Sequence, residues 1–316
     1  MQKIVPCLWF DKNCEEAMNY YVSCFSGISA GKQGSGILSV KRYAKGMETP
    51  GIEEMIGKVL TGVFDLEGYR FMALDGGPIF KFNPSVSFIV NFNPSRNRNA
   101  VKKLDKLWEQ FSEGGKVLME LQKYPFSERY GWVQDKYGIN WQLFLTDPKR
   151  DYRPFIVPTF MFTEKVAGKA EEAVDFYISL FNNSQRGMLE RYPAGSEPDK
   201  EGTVMYSDFV LGNQWFAAMD SAGTHGFSFN ESISFMVNCS DQKEVDMLWN
   251  GLSHVPESEQ CGWLKDKYGV SWQIIPEKMG ILLSDPDGEK VQRVLNKMLH
   301  MKKIIISELE EAYIEV

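Results

Sequence analysis

Gly131-Trp132-Val133-Gln134-Asp135-Lys136-Tyr137-Gly138-Ile139-Asn140-Trp141-Gln142 is followed, in the second half of the chain, by Gly262-Trp263-Leu264-Lys265-Asp266-Lys267-Tyr268-Gly269-Val270-Ser271-Trp272-Gln273. Working outward, Phe82-Asn83-Pro84-Ser85-Val86-Ser87-Phe88-Ile89-Val90-Asn91 returns as Phe229-Asn230-Glu231-Ser232-Ile233-Ser234-Phe235-Met236-Val237-Asn238. Ile4-Val5-Pro6 returns as Ile156-Val157-Pro158. The order is kept, and the period is roughly 150 residues, so each copy has the size of a domain rather than of a solenoid unit. The charged, proline-bracketed stretch Thr146 to Pro154 reads as the linker.

Both copies show the same sequence of elements. A short apolar strand (Ile4–Phe10; Ile156–Phe162) precedes a helix with Ala17, Tyr21, Cys24 and Phe25, or Ala173, Tyr177, Leu180 and Phe181, on one face. Strands ending at Asp75 and Asp220 follow, then the Ser-x-Ser strand. A second helix carries Leu104, Leu107, Trp108 and Phe111, or Val245, Leu248, Trp249 and Leu252. Each copy therefore reads as β-α-β-β-β written twice. Residues 288–301 and the capping-box pattern Ser307-Glu308-Leu309-Glu310 predict C-terminal docking helices.

In the Ser-x-Ser strands, Val86, Phe88, Val90 and Phe92 alternate with Ser85, Ser87, Ile89 and Asn91, and Ile233, Phe235, Val237 and Cys239 with Ser232, Ser234, Met236 and Asn238. The first set in each copy is expected to pack on helices. The second suits either a solvated face or the lining of a cleft. In the closing strands Trp141 and Trp272 fall on the core side, and Gln142 and Gln273 on the other.

Composition narrows the function classes. The chain has 316 residues, 43% hydrophobic and 24% charged, and a net charge of −7. That balance excludes a mainly disordered chain and argues against a nucleic-acid partner. No apolar run is long enough to span a bilayer. Five cysteines, with no C-x-x-C, point to reduced thiols and a cytoplasmic location.

The helix signature Glu15-Glu16-Ala17…Tyr20-Tyr21…Phe25, its echo Glu171-Glu172-Ala173…Phe176-Tyr177…Phe181, and the segments 232–239 and 261–273 resemble the PhnB-like branch of the glyoxalase/bleomycin-resistance/dioxygenase (vicinal oxygen chelate) superfamily. The tail Met301-Lys302-Lys303-Ile304, then Leu309-Glu310, resembles the end of single-domain members. The resemblance implies an α+β fold of tandem glyoxalase-like domains. Each would hold two βαβββ modules forming a curved mixed sheet around a cleft, with C-terminal helices added. The expected division is 1–148, a linker at 149–154, 155–283, and an extension at 284–316. The chain is then a monomer acting as an internal pseudo-dimer, or a homodimer.

Metal-dependent relatives place His, Gln and Glu ligands in the cleft. Carried over, those positions fall on Pro6 and Pro158, near Asp75 and Asp220, on Ser85 and Ser232, and on Gln142 and Gln273. His225, His254 and His300 fall on none of the candidate ligand strands. This is a poor set for a divalent metal, so neither a metal nor another cofactor is expected. Family members also bear a ubiquinone-methyltransferase designation. The best glycine cluster for a nucleotide-type cofactor, Gly31 to Gly36, reads as a turn.

Copy one carries extra residues between Trp108 and Gly131: a further strand near 115–121 and an aromatic loop, Tyr124 to Glu128. Copy one is therefore expected to have the better enclosed pocket. The favoured expectation is a metal-independent protein that binds a small molecule through Ser85, Ser87, Gln142, Tyr124 and Phe126, with Ser232, Ser234 and Gln273 as counterparts in copy two. Two alternatives stand beside it. One is a lyase- or transferase-like enzyme with Asp75 as acid–base; the other is a ligand-free scaffold.

Overall fold

The computed structural model describes residues 2–28, 34–44, 52–149 and 151–315. Gly31, Lys32 and Gln33 of the glycine cluster, and Arg150 of the linker, lie outside the described residues.

The architecture is α+β, with the four modules in order. The first is β1 (Ile4–Phe10), α1 (Cys14–Ser26), β2 (Gly36–Arg42), β3 (Val59–Leu66) and β4 (Tyr69–Asp75). The second is β5 (Val86–Phe92), α2 (Ala100–Ser112), β6 (Lys116–Tyr124), β7 (Ser127–Gln134) and β8 (Asn140–Leu145). The third is β9 (Ile156–Phe162), α3 (Ala170–Leu180), β10 (Gln185–Arg191), β11 (Val204–Leu211) and β12 (Gln214–Asp220). The fourth is shorter: β13 (Ile233–Cys239), α4 (Gln242–Leu252), the three-residue β14 (Trp263–Lys265) and β15 (Ser271–Pro276). Helices α5 (Glu277–Leu282), α6 (Gly288–Leu299) and α7 (Ile306–Ile314) close the chain.

The modules form two mixed sheets, and their pairing runs across the sequence copies. The first sheet has the order β14-β15-β13-β1-β4-β3-β2, joining the first module to the fourth. The second has the order β10-β11-β12-β9-β5-β8-β7-β6, joining the second to the third. The seams are antiparallel: Cys7 stands opposite Ser234, and Ser87 opposite Thr159. The helix-side cores, by contrast, bring together modules of the same copy. Phe71 of β4 meets Phe88 of β5 edge-on at 5.1 Å, and both lie against Trp141, which stacks on Phe111 of α2 at 4.9 Å. In the other half, Phe160 and Phe216 meet Phe235, which lies against Trp272. A copy is thus a unit of packing, while a sheet is a joint product of both.

Identical turns brace the two closing strands. Asp135 Oδ1 accepts from the amides of Tyr137 (2.8 Å) and Ile139 (3.1 Å), and Oδ2 accepts from Trp141 Nε1 (2.8 Å). Asp266 holds Tyr268, Val270 and Trp272 in the same way, and adds the Tyr177 hydroxyl at 2.7 Å. Gly138 and Gly269 take the positive φ that these turns require, 97° and 93°. The Asp-x-x-Gly spacing of the repeat therefore encodes a buried hydrogen-bond hub.

Candidate functional site

The faces turned away from the helix-side core are where strand alternation places the small polar side chains. On the second sheet, Gln142 is at the centre. Its Nε2 donates to Ser87 Oγ (2.8 Å), and its Oε1 accepts from Tyr130 Oη (2.7 Å). Thr159, fully buried, stands opposite Ser87. Tyr130 and Trp132 of β7 pair with Phe144 and Gln142 of β8, so they share this face. Tyr124 stacks on Phe126, and Phe126 reaches Tyr130 (5.0 Å) and Phe144 (6.3 Å). The aromatic hairpin end between β6 and β7 therefore lies at the mouth of the face. From the other side, Arg153 pairs with buried Asp208 (2.7 Å) and lies over the Trp215 ring at 3.9 Å.

The first sheet repeats the centre but not the surroundings. Gln273 Nε2 donates to Ser234 Oγ at 2.9 Å, with Cys7 opposite Ser234. Where the second sheet has Tyr130, the repeat places Cys261. The C-terminal helices pack here: Met236 and Ile275 join a cluster with Met279, Leu282 and Leu283. Lys41 Nζ on β2 donates to the Leu283 carbonyl at 3.0 Å, so this segment reaches from β15 to the far edge strand.

Ser85 and Ser232 stand just before β5 and β13, on the side of Ser87 and Ser234 by strand alternation, each held by an Asn two residues earlier. The Ser85 amide donates to Asn83 Oδ1 (2.8 Å), and both the amide and hydroxyl of Ser232 donate to Asn230 Oδ1. Asp75 lies on the helix side. Its oxygens accept from the amides of Cys14 (2.9 Å) and Val59 (3.0 Å), which ties the start of α1 to β3. Asp220 does the same with Ala170 and Val204. Burial raises both carboxyls, opposed by these amides. This geometry makes Asp75 a helix anchor.

In the first strands, Pro6 and Pro158 share the face of Ile4, Leu8 and Phe160, which belong to the helix-side core. The residues aligned with the two centres are Cys7 and Thr159, one position later. Sequence reasoning missed them because Ile4–Phe10 is apolar almost throughout and carries no period-two signal. It also missed Trp132, although Tyr130 and Trp132 alternate with Gly131 and Val133.

The fold family implies a metal at these centres. Each centre offers one serine, one glutamine amide, and either Thr159 or the Cys7 thiol, which burial pushes up to about 11. Without imidazole or carboxylate, this donor set does not fit a divalent cation of the kind the family holds. Among the described residues no group of three or more His, Cys, Asp or Glu could hold a metal ion. Among them, too, no helix is long and apolar enough to cross a membrane.

Four buried polar side-chain atoms on strands of the second sheet have no partner among the described residues: Trp132 Nε1, Asn140 Oδ1, Arg186 Nη1 and Ser207 Oγ. Of these, the Trp132 indole is a donor beside Gln142. Trp132 is 8% exposed, and its Nε1 makes no hydrogen bond among the described residues. A buried indole N–H without an acceptor costs about 1–3 kcal/mol, so such groups are rare and call for a reason.

The PhnB protein from Bacillus cereus is 36% identical over 46% of this chain and 100% of its own, with a TM-score of 0.38. Glyoxalase I from Zea mays is 13% identical over 86% of this chain and 90% of its own, with a TM-score of 0.48. TioX from Micromonospora sp. ML1 is 16% identical over 45% of this chain and 97% of its own, with a TM-score of 0.28. No curated protein matches the chain. The family model described as 3-demethylubiquinone-9 3-methyltransferase matches residues 2–144 and 154–275, which takes in both copies. The chain belongs to that PhnB-like family, twice in tandem.

Proposed function

We propose that this protein is a metal-independent binder of a small, flat apolar compound bearing one hydrogen-bond acceptor, held on the polar-centred face of the second sheet. The observation that carries this reading is the unpartnered, buried Trp132 Nε1 beside Gln142. A ligand acceptor would remove the cost of leaving that N–H dry. Tyr130, Phe144, Tyr124 and Phe126 supply the aromatic surface that a flat compound needs. The second sheet is preferred to the first because α5 and the segment after it already pack against Met236 and Ile275 there. The five unpaired cysteines fit a reducing compartment, the cytoplasm. The engaged oxygens of Asp75 weigh against an acid–base reading.

A matched probe pair tests this by calorimetry: 2-acetylnaphthalene, which has a carbonyl acceptor, and 2-ethylnaphthalene, which does not. The acetyl compound is expected to bind at least about tenfold tighter, the worth of one hydrogen bond near 1.4 kcal/mol. Trp132→Phe removes the donor and is expected to erase the difference while the protein stays folded. Gln142→Ala is expected to weaken both compounds by freeing Ser87 and Tyr130. Equal affinities in the native protein, or no binding of either compound, would overturn the reading.

A further inference from the structure

A groove of about 420 Å³ lies away from both sheet centres and shares no residue with them. Its walls are the end of α3 and the residues after it (Leu180 to Asn183), the β11–β12 turn (Gly212 to Gln214), and Ser240, Glu244 and Leu248 at α4, with Lys3 across them. Lys3 Nζ meets Glu244 Oε1 at 2.6 Å and donates to the Asn238 carbonyl at 2.6 Å. The other oxygen of Glu244 accepts from the Ser240 amide and hydroxyl. The two charged side chains are 27% and 19% exposed, so both are largely withdrawn from water.

The other half of the molecule fills the equivalent place with rings. By the repeat, Lys3 corresponds to Phe155, Gln214 to Tyr69 and Cys239 to Phe92. Phe155 packs edge-on against Phe25 (6.2 Å) and Phe92 (5.4 Å), and Tyr69 packs on Phe71 (5.2 Å). The fold can therefore close this position with aromatic packing. In one half it does so, and in the other three rings are replaced by an ammonium, an amide and a thiol. Two of those replacements, Lys3 and Gln214, line the groove, where the other half has the rings of Phe155 and Tyr69.

We propose that the groove binds a small zwitterion, a free α-amino acid being the smallest of that class. The ligand carboxylate takes Lys3, its ammonium takes Glu244, and an apolar side chain lies on Phe181 and Leu248. The charge arithmetic selects this class. A singly charged ligand would part the ion pair and leave one half-buried charge unmatched, which is costly. A zwitterion parts the pair and re-pairs both charges. The volume falls within the range of roughly 300–1,000 Å³ typical of small-molecule sites.

Calorimetry with L-leucine, 3-methylbutylamine and 4-methylpentanoate tests the proposal, since the last two are leucine without its carboxylate or its ammonium. Leucine is expected to bind at millimolar concentration or below, and at least about tenfold tighter than either control. Lys3→Phe copies the ring of the other half and is expected to fold and to abolish leucine binding. Glu244→Gln, which keeps the shape, is expected to weaken leucine at least about tenfold. Neither variant should change 2-acetylnaphthalene binding, which separates this groove from the second-sheet site. No heat with leucine, equal binding of a control, or retained affinity in Lys3→Phe would overturn the proposal.

Discussion

Asp135→Ala is expected to lose on the order of 3–5 kcal/mol of stability, from three donors, two of them buried, orphaned at once. The amides of Tyr137 and Ile139 and the indole of Trp141 all end on this one carboxylate. Trp141 is 1% exposed and in contact with Phe25, Phe88 and Phe111, so water cannot replace the lost acceptor without disturbing the core of copy one. Denaturant unfolding followed by tryptophan fluorescence measures the loss. A second readout separates this hub from simple cavity formation. Burial raises the Asp135 carboxyl from 3.8 to about 6, against the pull of the indole and amide hydrogen bonds. The folded state then binds the proton more tightly than the unfolded one. This group's contribution to stability falls as pH rises through the window from about 4 to about 6, and is regained on acidification. The variant should lack that slope. A loss below about 1 kcal/mol, typical of a surface change, would mean that the hub is not what holds the closing strand.

Residues 1–148 expressed alone are expected to pair with a second copy of themselves. In the intact chain β1 is hydrogen-bonded to β13, and β5 to β9, so both partners lie in the second copy. Removing that copy leaves two bare strand edges on one small body, with Val5, Cys7, Ser87 and Ile89 facing water. Two such halves can join β1 to β5 and close both edges. Light scattering at micromolar concentration should give twice the fragment mass. Mixing separately made residues 1–148 and 155–316 should instead yield a 1:1 complex. A stable monomer of residues 1–148 would show that the seams contribute little.

The repeat alone carried most of this fold. The alternation of Val86 to Phe92 and of Ile233 to Cys239 placed Ser87, Gln142, Ser234 and Gln273 on one side, and Trp141 and Trp272 on the other, because those strands have one polar face. Two things were out of reach. The partner of each edge strand is not encoded in local pattern: Ile4–Phe10 is apolar on both faces and would suit β5 or β13 equally. The groove at Lys3 depends on what does not fill it, and this becomes visible only when Lys3 and Phe155 are superposed through the repeat.

A protein assembled from two identical chains must write every residue into both of its sites. Here the same seams are closed within a single chain, so each position is written once. Phe155 is a ring where Lys3 is a charge, and the C-terminal helices pack on the first sheet and not on the second. Within one chain the two sheets are free to differ, so the second-sheet face and the Lys3 groove proposed above need not have counterparts in the other half.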